Sequence, residues 1–160
     1  MKKIMEIKPI NIQLPAEIQN LTEGNLFDKD GLISDDVLSK FLAYNPEIIR
    51  IYGLALASLK KTKREMEIAI KKTEKEMERI RATIILKLDP GIYKNDSMRE
   101  AKVVLDENYQ EAQKHILEIE EDLIELDAEI DELSEMYWKY KGVGNSLDAM
   151  TKIRLAERKY

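Results

Sequence analysis

Six cationic side chains, Lys61, Arg64, Lys71, Lys72, Lys75 and Arg79, recur over a short stretch at positions that share one outer helical face, with Glu65 and Glu78 as the acidic groups on that face. If the stretch is helical, the row runs for roughly 27 Å. A basic row of that kind can neutralise phosphates and release their counterions. A second group lies in the tail. It reads Tyr137-Trp138-Lys139-Tyr140-Lys141, followed by Lys152, Arg154, Arg158, Lys159 and Tyr160. Aromatics interleaved with cations suit single-stranded nucleic acid, whose bases stack and whose phosphates pair. Two other readings compete with phosphate binding for the first row. One is a merely solvated helix face. The other is contact between subunits, the basic face of one copy meeting the acidic face of another.

Catalytic and metal chemistry find little purchase. His115 is the only histidine, and Ala112 three residues before it denies the Glu-x-x-His spacing of di-metal helical bundles. The many carboxylates after residue 106 spread around outer and flanking positions without convergent partners. Asp28-Lys29-Asp30-Gly31-Leu32-Ile33 has the flavour of a calcium loop, but aligning Gly31 as the loop glycine puts Leu26 and Val37 at two key ligand positions. It reads as a turn. No glycine-rich phosphate loop occurs, and with no cysteine there is neither a disulfide framework nor thiolate chemistry. The sequence therefore predicts a non-enzymatic protein without cofactor or metal.

The elements that must carry these groups are marked by two heptad stripes. One is Ile49, Tyr52, Leu56, Leu59, Lys63, Met66, Ile70, Thr73, Met77, Ile80, Ile84. The other is Leu105, Tyr109, Ala112, Ile116, Ile119, Leu123, Leu126, Ile130, Leu133, Tyr137, Tyr140. Steps of three and four alternate throughout, so each stripe is one seam of a long helix. Their equal length predicts two helices folded back on each other. Asn45-Pro46-Glu47 reads as the start of the first, Asp89-Pro90-Gly91 as the turn, and Ser97 with Glu100 as a capping box opening the second. Gly142-Val143-Gly144 should end the second helix, and Ser146 should cap a short third one. Residues 10–14 alternate like a strand, and Asp35 to Ala43 looks like a short helix. Pairing Ile84 with Leu105 sets Lys60 against Asp127, Arg81 against Asp106 and Glu76 near His115.

The expected fold is thus all-α: a long antiparallel coiled-coil helical hairpin over residues 46–141. Its small head is formed by an N-terminal segment, residues 1–45, and a short C-terminal helix with a basic tail, residues 145–160. The net charge of −5 is segregated. Residues 46–88 carry 11 basic and 6 acidic groups, whereas residues 106–135 carry one basic and 13 acidic. No apolar run reaches membrane-spanning length and the N-terminus lacks a signal-like stretch, which predicts a soluble, cytoplasmic protein, host-cytoplasmic if phage-encoded. Apolar residues at Ile48, Ile51 and Leu54, and outward-facing Ile68, Leu117 and Ile124, exceed what one hairpin can cover. They are the expected interface of a homo-oligomer.

The order of parts also resembles a family. A basic helix containing KREMEIAIKKTEKEMERI is followed by a turn, then SMREAKVVLDENY, a long second helix, KGVGN, and SLDAMTKIRLAERKY. Over approximately residues 44–158 this is similar to the UvsY-type recombination mediators of bacteriophages and related small phage recombination proteins. The resemblance implies an oligomeric, ring-forming helical protein that binds single-stranded DNA and helps load a RecA-like recombinase while displacing a single-strand-binding protein. Its DNA-binding positions would fall on Lys60, Lys61, Lys63, Arg64, Lys71 and Lys72, joined by the tail basics Lys152, Arg154, Arg158 and Lys159. Residues 1–45 have no counterpart, and the acidic second helix departs from a simple DNA binder. The alternative is a non-catalytic coiled-coil module, either an adaptor or a phage-encoded inhibitor of a host protein.

Overall fold

The structure, a computed structural model, describes residues 33–157. Those residues form three helices of 53, 9 and 51 residues, α1 (Asp35–Lys87), α2 (Asp96–Val104) and α3 (Glu107–Glu157), and no strand. The strand expected at residues 10–14 and the turn at 28–32 lie outside the described residues. The chain divides into two compact units: unit one is Lys60–Ala128, and unit two joins residues 33–59 with 129–157.

Unit two holds an apolar core. Ile33, Leu38, Phe41, Ile48, Tyr52, Tyr140 and Leu147 are buried together, with Val143 and Met150 packed against them. This core explains two departures from the sequence reading. The first helix begins at Asp35, not at Pro46. Ser34 caps it, its Oγ accepting from the Val37 amide at 3.2 Å, and Asp35 and Asp36 sit favourably in the first turn. Pro46 lies inside the helix. An interior proline costs about 3 kcal/mol, but Phe41 before it and Ile48 after it share the core, each burial contributing about 1.5–3 kcal/mol. Likewise α3 does not break at Gly142-Val143-Gly144. Two helical glycines cost ~1 kcal/mol each, and burial of Leu147 with the packing of Val143 and Met150 outweighs them. Ser146 does not cap a separate helix; its hydroxyl donates to the Gly142 carbonyl at 3.1 Å.

Unit one is built on the stripes. Met66, Ile119 and Leu126 are buried, as is Val103 of α2. Of all the stripe positions in both units, only Leu105 is exposed. It is exposed because the helix pauses there: α2 ends at Val104, and Asp106 opens α3 by accepting from the Asn108 and Tyr109 amides at 3.0 and 3.1 Å. The turn at residues 88–94 forms as read, with Asp89 Oδ1 accepting from the Gly91 amide at 2.7 Å. The cap of α2 is Asn95, whose Oδ1 accepts from the Met98 amide at 2.9 Å, so Ser97 does not fill that role.

Among the described residues no helix is long and apolar enough to cross a membrane.

Candidate nucleic-acid interface

The cationic row lies on α1 within unit one. At ~100° per residue, Lys60, Lys61, Arg64, Lys71, Lys72, Lys75 and Arg79 fall within an arc of about 120°, on the side of α1 away from Met66 and Ile70. All seven are exposed. The seam is buried because its residues are apolar, and the same periodicity turns the cations outward. Two of them have an acidic neighbour on their own helix, Lys61 with Glu65 at 3.8 Å and Arg79 with Glu76 at 3.5 Å. Lys60, Arg64, Lys71, Lys72 and Lys75 make no ion pair among the described residues. Exposed helical pairs of this kind are worth under ~0.5 kcal/mol, so even the paired two remain available to an anion. Ile68, 45% exposed, sits in the middle of the arc.

Lys63, assigned to the same site from the sequence, is positioned differently. It occupies a seam position, and its Nζ donates to both oxygens of Asp127 at 2.7 and 3.0 Å. Its stem lies along the seam and its ammonium reaches the edge. It therefore links α1 to α3 inside unit one and is not part of the outward row. Lys60, expected opposite Asp127, has no such contact. Arg81 pairs with Glu100 of α2, its Nε donating to Oε1 at 3.0 Å. The expected partner, Asp106, is engaged in capping α3. Glu76 and His115 both line a groove of about 500 Å³, with Thr73, Ala112 and Glu118. The groove opens there because the seam residues Thr73 and Ala112 are small. Among the described residues no group of three or more His, Cys, Asp or Glu side chains is placed to hold a metal ion.

The tail residues separate into two kinds. Arg154 is engaged within unit two: it donates to Asp35 at 2.8 Å and to the Ile33 carbonyl at 3.0 Å, with a side chain only 28% exposed. Its guanidinium thus fastens α3 to the start of α1. Lys152 is exposed but paired with Asp148 at 2.6 Å. Arg158 and Lys159 lie outside the described residues. Trp138 is 62% exposed, whereas Tyr140 is buried and stacked on Tyr52, ring centroids 5.4 Å apart.

The expected subunit contacts also divide. Ile48 is 1% exposed and belongs to the core of unit two, where its side chain is already covered within one copy. The N-terminal part of α1 and the C-terminal part of α3 supply the neighbours that its surroundings needed. Ile51 is half-buried, and Leu54, Ile68, Leu117 and Ile124 stay exposed. A further group of apolar side chains, Leu86, Ile92, Met98, Val104 and Leu105, faces solvent around the turn of unit one. Leu105 is exposed at the pause between α2 and α3, which carries no heptad signal.

Comparison with protein-family models, with curated proteins and with solved structures finds no match for this chain.

Proposed function

We propose that this chain is an antiparallel coiled-coil hairpin that binds single-stranded DNA through the outward cationic row of α1, acting as a non-catalytic, oligomeric accessory of recombination. The hairpin is supported unit by unit. In unit two, Asp35 meets Arg154, Asn45 lies beside Gly144 and Tyr52 stacks on Tyr140. In unit one, Lys63 meets Asp127 and Arg81 meets Glu100. Within each, the partner's number falls as the α1 number rises, which is the order two opposed strands of chain produce.

The observation carrying the DNA reading is the row itself: seven exposed cations on one arc, five of them making no ion pair among the described residues. Uncompensated like charges at this density repel one another across α1, and a polyanion relieves that repulsion. The resemblance to UvsY-type mediators supplies the wider role: help in loading a RecA-like recombinase on DNA held by a single-strand-binding protein. Fluorescence anisotropy of a labelled oligothymidylate tests the binding. Affinity should fall steeply with salt, log K losing about 0.7 per tenfold rise in salt for each phosphate contacted. Binding that ignores salt, or no binding at low salt, contradicts the proposal.

A second reading, the coiled-coil interaction module, is favoured by one specific feature. Leu117 and Ile124, both exposed, lie seven residues apart on α3 among Glu118, Glu121 and Glu125. An apolar pair with an acidic border suits a basic protein surface. Under that reading the row on α1 binds protein, and no oligonucleotide is retained even at low salt.

A further inference from the structure

Trp138 is the only tryptophan in the chain, and most of its surface is open to solvent although its neighbour Tyr137 packs on the core of unit two. Indole is costly to leave in water, and two contacts hold this one in place. The Tyr137 ring meets it edge-on, centroids 5.3 Å apart at 83°. The Lys141 ammonium stands 4.7 Å from the indole centroid and 5.7 Å from that of Tyr137. Tyr137 is itself partly buried against the core of unit two, and a Cβ at residue 53 would make ordinary van der Waals contact with its Cε2 at 3.7 Å. The indole therefore leans on a ring that is held by core packing.

The C-terminal side of this arrangement is bare. Residue 142 is four positions on, where a helical side chain would lean back over Trp138. It is glycine, and a Cβ there would meet nothing within 4 Å. Beside this opening stands a cation with no carboxylate partner: Lys141 makes no ion pair among the described residues. A fixed aromatic plane, free space beside it and an unpaired ammonium within 5 Å are what a nucleotide requires, the plane for the base and the charge for its phosphate.

We propose that Trp138 and Lys141 form a nucleotide-docking subsite in unit two, the base stacking on the indole and the phosphate meeting the Lys141 ammonium. The subsite rests on the single-stranded DNA reading above but uses none of the cations on α1. Lys141 supplies the cation of the subsite, while Tyr137 acts as a positioning residue.

Two signals recorded in one titration test it. Anisotropy of a labelled oligothymidylate reports binding anywhere on the protein, and emission from the single tryptophan reports stacking at the subsite. Wild type should show both, with Trp138 quenched in step with the anisotropy rise. W138A should bind about tenfold more weakly and W138F within a few-fold of wild type, both with unchanged far-UV circular dichroism. K141A should lower the slope of log K against log salt by about 0.7. G142L, which places a side chain over the opening, should suppress quenching. If anisotropy rises while Trp138 emission stays constant and W138A binds like wild type, the subsite is refuted and the α1 row stands. If wild type shows neither signal at low salt, both proposals fall together.

Discussion

Asn45 places a polar side chain in the core of unit two, 7% exposed, its Oδ1 without a hydrogen-bond partner among the described residues. It fits because residue 144 has no side chain: a Cβ there would fall on the Asn45 amide nitrogen and 3.0 Å from its Cγ. The buried carboxamide has little room to move aside. Gly144→Ala should therefore destabilise the protein by about 1–3 kcal/mol in urea unfolding, whereas Gly142→Ala, into open space, should gain up to ~1 kcal/mol of helix propensity. Combining Gly144→Ala with Asn45→Ala should recover much of the loss, because it removes both the overlap and the unpaired oxygen. Equal stability of Gly144→Ala and wild type would show that the helices do not meet at this point. Tyr52 gives a pH signature. Burial, aided by its charge interaction and hydrogen bond with Tyr140 and by Glu132, pushes its hydroxyl above the usual tyrosine range. A folded-state pKa above the unfolded one contributes stability that is complete below ~pH 10 and is lost as pH rises through the folded value. Thermal melts should show an alkaline loss above ~pH 10 that is smaller in Tyr52→Phe.

At the scale of elements, periodicity was legible and termini were not. Every stripe position except Leu105 is at least half-buried, because one face of a long helix must repeat with the helix period to be covered at all. The outward placement of Lys71, Lys72 and Lys75 follows from the same period and could be read with it. Pro46 and Gly142-Val143-Gly144 are local breakers, and local reading ends helices there. Packing of Phe41, Ile48 and Leu147, distant in sequence, overrides them. The engagement of Arg154 with Asp35, 119 residues away, likewise has no local signal. The caps give a direct check. Asp106→Ala and Asn95→Ala should each cost about 0.5–2 kcal/mol, and Ser97→Ala should be nearly neutral, since its hydroxyl caps nothing. A large loss from Ser97→Ala with none from Asn95→Ala would contradict the observed start of α2.

The molecule combines an outward basic row with apolar side chains that the described chain leaves uncovered. Leu117 and Ile124 on α3, Ile68 on α1 and the group around Leu86 and Leu105 all face solvent. Contiguous exposed apolar surface marks association sites. Sedimentation velocity at micromolar concentration should find more than one subunit, and Leu117→Ser with Ile124→Ser should shift the distribution toward monomer. A single monomeric species for wild type would contradict this. Repetition of the row in an oligomer would raise DNA affinity well above that of one copy.

The central claim, that the outward row of α1 holds single-stranded DNA, is tested most directly by charge reversal at Lys71 and Lys72. Both are exposed and off the seam. The measurement is anisotropy of a labelled oligothymidylate at low salt, with circular dichroism and sedimentation run on the same samples. The account predicts that K71E/K72E keeps its helicity and its subunit number and loses DNA binding, while wild type binds and releases the strand as salt rises. Undiminished binding by the double variant would contradict it, as would a failure of wild type to bind at all combined with dissociation of the double variant into smaller species, which would assign the row to protein contact.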